Sequence, residues 1–275
     1  MHRLQIEKPL LRKKWRRVLG REYYIVRRRI TDYTSGIKWC KRGVENLNNY
    51  SLVKEHKSLI LRPLKDVDMY LQENKRTNLR LAIERLNQMR IAPGQTFSVW
   101  HYVGRPTARK GYLPGLMLNQ GKIDTGVGGG LCQLGNLLFW IFAHSPLSIT
   151  ERHRHSFDVF PDVGRNIPFG SGATLSYNYI DLRIQNDTQQ TFYLELWLDE
   201  THLHGRLWAQ GELLSSYRVE EEGHCIVQQP WGGFTRHNRL FRIITYPDGR
   251  ESKELLVENH AIMMYNPLLY PPNGQ

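Results

Sequence analysis

The sequence of 275 residues is poor in cysteine and has no long apolar run. Cys40, Cys132 and Cys225 are odd in number and widely spaced, which argues against a disulfide framework. No Cys-x-x-Cys pair occurs, so a structural zinc site is not expected. No stretch approaches the roughly 20 apolar residues of a spanning helix, and no secretory signal is visible. We therefore expect a protein of the cytoplasm or of the inner membrane face.

Acidic side chains are scarce at the N-terminus. Residues 1–42 contain fourteen Lys and Arg but three acids, a net charge of +11, whereas the rest of the chain carries +1. This asymmetry predicts a basic amphipathic arm over residues 1–50 and a body over 51–275. The apolar residues Leu11, Trp15, Val18 and Leu19 recur at helical spacing among the cations. They predict either contact with an anionic membrane or packing on the body with the charges in water, and nucleic acid is not expected.

The periodicity of the body predicts an α+β fold, with a helix-bearing cleft on a mostly antiparallel sheet. An amphipathic pattern indicates a helix over 77–89 with Thr77 as its cap, and an apolar run indicates a buried helix over 131–143. Alternating patterns predict hairpins formed by 191–198 with 202–208 and by 241–246 with 254–258. The alternating patterns predict a β-rich tail over 191–275.

The run Gly128-Gly129-Gly130 leads directly to Cys132 at the start of the second of these helices. A thiol at a helix N-terminus is favoured as the thiolate by free N–H groups and the helix dipole. Glycines also let the backbone approach a bound group and turn its N–H groups toward it. Cys132 is therefore a candidate nucleophile. A small buried side chain after a tight strand-to-helix connection is the alternative.

Two histidines follow Cys132, and His155 and His153 would share one face of a strand with Glu151. Either imidazole could take the thiol proton, with Asp158, Asp162 or Asp181 as the group that orients it. A metal held by Cys132, the two histidines and Asp158 is an alternative, but its spacing matches no standard zinc pattern, so no metal or cofactor is expected. Other side chains suited to an oxyanion or a substrate carboxylate are Gln133, Asn136 and Arg105.

Several motifs occur in order between about residues 75 and 190. They are Pro-Gly-Gln-Thr-Phe-Ser (93–98), Val-Gly-Arg-Pro-Thr (103–107), Lys-Gly-Tyr (110–112), Gly-Gly-Gly-Leu-Cys-Gln (128–133), Glu-Arg-His-Arg-His-Ser (151–156), Asp-Val-Phe-Pro-Asp (158–162), Pro-Phe-Gly-Ser-Gly-Ala-Thr (168–174) and Tyr-Asn-Tyr-Ile-Asp-Leu (177–182). This ordered series resembles the VanW family.

The resemblance implies a role in peptidoglycan metabolism and glycopeptide resistance. Related exported VanW domains are associated with L,D-transpeptidase chemistry, which implies that Cys132 is the nucleophile and His155 the first choice as base. The glycines 128–130 would then bind substrate, and backbone N–H groups around Gly130 to Gln133 would hold the oxyanion. The implied partner is a peptidoglycan stem peptide or a cell-wall precursor. Since no export signal is visible here, a non-enzymatic accessory protein that binds such a precursor or a membrane partner is the alternative.

Overall fold

The computed structural model describes residues 14–61, 68–119, 121–159, 161 and 167–269. Within these ranges no helix is both long and apolar enough to cross a membrane. Helices and antiparallel sheets occur together, so the predicted α+β class is confirmed. Leu11 and Asp162 lie outside the described residues, whereas Trp15, Val18 and Leu19 lie inside them and are exposed.

Four α-helices and fourteen strands are present in the described residues. The helices are α1 (Lys14–Thr34), α2 (Met69–Leu86), α3 (Val99–Val103) and α4 (Cys132–Ala143). The strands are β1 (Lys41–Arg42), β2 (Tyr50–Leu59), β3 (Met89–Ile91), β4 (Thr96–Ser98), β5 (Pro114–Asn119), β6 (Lys122–Val127), β7 (Ser148–Glu151), β8 (Phe157–Asp158), β9 (Arg183–Gln185), β10 (Phe192–Leu198), β11 (His202–Gln210), β12 (Ser216–Gln228), β13 (Phe234–Thr245) and β14 (Glu251–Met263). Short 3-10 turns lie at Leu47–Asn49, Ala108–Lys110 and Pro267–Leu269.

The strands form three sheets and one separate hairpin. An antiparallel sheet has the order β1-β3-β10-β11-β2, and a second has the order β12-β13-β14-β8, in which only β8 runs parallel to its neighbour. A small antiparallel sheet has the order β4-β9-β7, and β5 pairs with β6 alone. Both predicted hairpins are present, as β10–β11 and β13–β14.

Helix α4 is the centre of the core, because its residues 137–143 are all apolar and buried. Its residues Leu134, Leu138 and Phe142 are fully buried. It packs on β2 and β11, where Gly205 leaves room for the side chains of Leu137 and Ile141. The guanidinium of Arg242, on β13, donates to the carbonyls of Ala143 and Leu147 just beyond the helix. A cation at the C-terminus satisfies carbonyls that the helix leaves unpaired.

The prediction for α2 is wrong at its start. The helix begins at Met69, so Thr77 lies in its interior and is not a cap. Two turns that precede the predicted start are helical because Leu71 and Gln72 are buried, a tertiary contact that outweighs the weak local pattern. For α4, the predicted range of 131–143 is confirmed to within one residue.

Candidate active site

Cys132 is the first residue of α4, so its predicted position at a helix N-terminus is confirmed. The thiol donates a long hydrogen bond, 3.8 Å, to the carbonyl of Leu175. Burial raises the pKa of the Cys132 thiol, and weaker backbone interactions at Leu175 and at Cys132 itself lower it in part. The expectation of a depressed thiol pKa is therefore wrong for this state, because desolvation of the thiolate outweighs the helix terminus.

The three glycines form a tight connection between the β5–β6 hairpin and α4. The amides of Gly128, Gly129 and Gly130 donate to the carbonyls of Leu113, Gly126 and Leu116. Since these N–H groups are already bonded, they do not line a cradle for a substrate, contrary to their predicted role. The amide of Gln133 bonds to the carbonyl of Gly130, in the first turn of α4.

His153 has the partner that a catalytic imidazole needs. Its Nε2 lies 3.3 Å from Oε1 of Glu151, while the imidazole itself is about half exposed. A carboxylate on the far side of an imidazole fixes its orientation and stabilises the imidazolium. The sequence places Glu151 on the same strand face as the histidines but predicts no role for it. The two-residue spacing of Glu151 and His153 is the signal that could have identified the pair.

His155 has a different environment. Burial, assisted by the charge of Arg154, lowers the pKa of His155 to about 4. The Arg154 guanidinium lies 3.7 Å from the centroid of Phe169, and Arg236 stands 4.1 Å from the same ring. An imidazole with so low a pKa is neutral at pH 7 and a weak base.

One short segment links the cysteine to the histidine motif. Leu175 accepts the bond from Cys132, and the amide of Thr174 donates to the carbonyl of His153 at 2.8 Å. Within the described residues, three side-chain oxygens of this part of the chain are buried and make no hydrogen bond; they are Ser171 Oγ, Thr174 Oγ1 and Asn178 Oδ1. Buried polar atoms of this kind are rare in folded proteins and indicate a missing partner such as water or a ligand.

The two candidate aspartates both have structural partners. Asp181 is fully buried. It accepts hydrogen bonds from Ser98 Oγ and from the backbone amide of Trp100, which lies in the first turn of α3. Asp158 lies beside Arg236 and accepts from Tyr265 at 3.2 Å. Neither carboxylate forms a hydrogen bond or ion pair with an imidazole in the described part of the chain. Glu151 is the carboxylate that orients a histidine.

The predicted substrate-binding side chains are also engaged elsewhere. The side-chain amide of Gln133 donates from Nε2 to Ser58 Oγ at 2.6 Å and to the carbonyl of Leu59, and these bonds connect α4 to β2. Arg105 forms a two-pronged ion pair with Glu22 of α1. Asn136 accepts from the amide of Ala173. Each of these contacts joins separate segments of the fold, so the structure gives these side chains a structural role.

In the ranges that the structure describes, one group of side chains lies close enough together to share a metal ion. It consists of Asp199, His202 and His204 at the β10–β11 hairpin, with ligand atoms within 4.8 Å of one another. His204 Nε2 is 2.6 Å from Asp199 Oδ2. The alternative metal set of Cys132, the two motif histidines and Asp158 does not come together in this way.

These features define an α+β protein with a cysteine at a helix N-terminus and a Glu–His pair. Both contact one segment, residues 171–178, which we call the polar segment. Residues 74–208 match the family model described as VanW like protein. The chain therefore carries a VanW-like domain, and the predicted resemblance is confirmed. The matched range contains the ordered motifs found between about residues 75 and 190.

Two relatives extend this comparison. The Vancomycin B-type resistance protein VanW of Enterococcus faecalis is 40% identical over 176 residues, which is 64% of this chain and 64% of that protein. The uncharacterized protein YoaR of Bacillus subtilis is 33% identical over 113 residues, 41% of this chain and 36% of that protein. The chain thus covers less than two thirds of the length of either relative. No solved structure matches the chain.

Proposed function

We propose that this chain acts on cell-wall peptides in glycopeptide resistance, by acyl transfer through Cys132. Its VanW-like domain and its similarity to a protein named for vancomycin B-type resistance support the biological setting. The observation that carries the chemistry is the shared segment: the Cys132 thiol bonds to the carbonyl of Leu175, and the backbone carbonyl of His153 accepts from the amide of Thr174, the residue before it. A nucleophile and its base need a common site of this kind.

The roles follow from the local environments. His153, oriented by Glu151, removes the proton of the Cys132 thiol, since His155 is too weak a base for this step. The thiolate attacks a peptide carbonyl, and the amides of Leu131 and Cys132 donate to the oxyanion. When the intermediate collapses to a thioester, the C–N bond breaks and the imidazolium protonates the leaving amine. An acceptor amine then attacks the thioester and restores the thiol.

The raised pKa of Cys132 assigns an order to these events. In the free protein the sulfur stays protonated, so a bound substrate must precede thiolate formation. The buried oxygens of Ser171, Thr174 and Asn178 provide hydrogen-bonding groups for a polar, amide-rich ligand. A stem peptide of the cell wall has this chemistry, since it offers a donor and an acceptor at each peptide bond.

The test is the acyl adduct. Incubation with cell-wall stem peptides should give a thioester on Cys132 that is visible by mass spectrometry and labile to hydroxylamine. The adduct should disappear in Cys132→Ala and fall at least tenfold in His153→Gln, with Cys225→Ala as the matched control that keeps it. No adduct on the wild-type protein with any stem peptide, in the presence of measurable peptide binding, would overturn acyl transfer.

A non-enzymatic binding protein is the second candidate, and the state of Cys132 favours it. A binding module has no need of a thiolate, and burial raises the pKa of this thiol, which bonds to a carbonyl. This candidate predicts that Cys132→Ala binds stem peptides with the wild-type affinity in calorimetry. Loss of binding in Thr174→Val with retention in Cys132→Ala would place recognition in the polar segment.

A further inference from the structure

Helix α1 contacts the body through one face only. Ile25 is the residue of this face that is buried, and its polar neighbours pair with arginines or glutamate of the body. Asp32 receives both terminal nitrogens of Arg183 at 2.7 Å, Glu22 pairs with Arg105 at 2.7 Å, and Arg28 pairs with Glu151. Spacings of three and four residues place these side chains along one side of the helix.

A second face of α1 is apolar and exposed. Its six side chains are each 55% to 92% exposed, and we call them the apolar stripe: Trp15, Leu19, Tyr23, Val26, Ile30 and Tyr33. Their spacing of four, four, three, four and three residues confines them to a sector about 80° wide, at about 100° per residue. A folded body leaves no such continuous row of large apolar side chains in water without a reason.

The charge around the apolar stripe indicates what covers it. Arg16 and Arg27 are exposed and border the stripe, and residues 1–42 carry a net charge of +11. Glu22 and Asp32, two of the three acids in that range, are engaged by Arg105 and Arg183 of the body, so they do not neutralise the outer side. Tryptophan and tyrosine among arginines are the composition of helices that lie at a lipid–water interface.

We propose that α1 binds an anionic lipid surface through the apolar stripe, with the helix axis in the plane of the interface. The stripe enters the boundary between headgroups and acyl chains, while the bordering arginines contact anionic headgroups. The ion pairs on the other face then hold the body against the membrane. This inference goes beyond the proposed function and does not depend on acyl transfer.

Flotation of the full chain with lipid vesicles tests the proposal. Vesicles of phosphatidylcholine with 30% phosphatidylglycerol should bind the protein at low salt, on the order of tenfold more than vesicles of phosphatidylcholine alone, and binding should weaken in 0.5 M salt. The double variant Leu19→Glu with Ile30→Glu should lose at least tenfold in binding. Its matched control is Val44→Glu with Leu214→Glu, because these apolar residues are even more exposed but lie off the helix.

A second double variant, Arg16→Gln with Arg27→Gln, tests the role of charge. It should bind anionic vesicles less tightly than the wild type, and its binding should depend less on salt. Circular dichroism and thermal unfolding check that each variant keeps its fold, as expected for exposed positions. Equal binding by the stripe variant and wild type, equal loss in the matched control, or no binding of wild type to anionic vesicles would each overturn the proposal. A lipid-free dimer in light scattering that the stripe variant dissolves would assign the stripe to a second copy instead.

Discussion

Arg28 donates from both terminal guanidinium nitrogens to the two carboxylate oxygens of Glu151, 123 residues further along the chain. Both side chains are largely buried. The same carboxylate accepts the amide of Asp181 and lies next to His153. One acidic side chain therefore connects α1 to the imidazole that we propose as the base, so that docking of the arm and geometry of the site are coupled.

Removal of this pair should loosen α1. We expect Arg28→Met to lower the free energy of unfolding by about 1–3 kcal/mol, since a hydrogen-bonded and partly buried carboxylate loses its main partner. Cleavage within α1 should also become faster in limited proteolysis. Arg27→Met is the matched control, because Arg27 lies one residue away and is exposed. Equal unfolding midpoints in urea for the two variants would contradict the prediction.

The three cysteines should differ in reactivity in the free protein. Cys225 and Cys132 are both partly exposed, and Cys225 should react first with iodoacetamide at pH 7–8. Cys132 should react more slowly because burial raises its pKa, and Cys40 slowest, because burial raises its pKa to about 12 and its sulfur bonds to Tyr102. This order reverses the reactivity expected from the helix terminus alone. Mass spectrometry of the labelled peptides measures it, and fastest labelling of Cys132 would contradict it.

Acid should destabilise the protein through two histidines. Burial lowers the pKa of both His144 and His155 to about 4, below the usual value of 6.5 for a histidine. Between these pH values the unfolded chain binds protons that the folded chain does not, so the free energy of unfolding falls as pH drops from about 6.5 to 4. Each group contributes about 1–3 kcal/mol over this window.

Chemical denaturation at pH 7, 6 and 5 measures this dependence. The variant His155→Gln removes one of the titrating groups, and its stability should therefore change less with pH than that of the wild type. Carboxylates titrate in the same window in both proteins, so the difference between the two slopes isolates the histidine. Parallel slopes for wild type and variant would show that His155 does not bind a proton differently in the two states.

Local patterns were sufficient for much of the fold. The apolar run of α4 and the alternating strands β10 and β11 were predicted because neighbouring residues alone determine these periods. By contrast, strand β12 was not predicted, because its three consecutive acidic residues 220–222 interrupt the alternation of apolar and polar side chains. The boundary of α2 depended on burial against other elements, which no local pattern encodes.

The candidate site was predictable in its residues but not in its electrostatics. The position of Cys132 at a helix N-terminus follows from the glycines and the apolar run. The raised pKa of Cys132 depends on its enclosure next to Leu175, 43 residues further along the chain. The pairing of His153 with Glu151 could be inferred only from their two-residue spacing. The contacts of Arg105 and Glu151 with α1 join segments far apart in sequence, and such pairings cannot be read from composition.

The last prediction concerns the glycine run. A Cβ on Gly129 would lie 2.1 Å from the carbonyl carbon of Gly115, and its contact is with backbone that cannot rotate away. The carbonyl of Gly129 also accepts from the buried amide of Asn78 at 2.9 Å, so a shift of this residue would break a second contact. We expect Gly129→Ala to lower the free energy of unfolding by about 1–3 kcal/mol, as overpacking does elsewhere.

Gly43→Ala is the matched control, because a Cβ there meets nothing within 4 Å. Urea denaturation compares the two, and an unchanged midpoint in Gly129→Ala would mean that the β5–β6 hairpin and α4 can separate without cost. In that case the glycines would be free to open toward a substrate, and their predicted binding role would regain support.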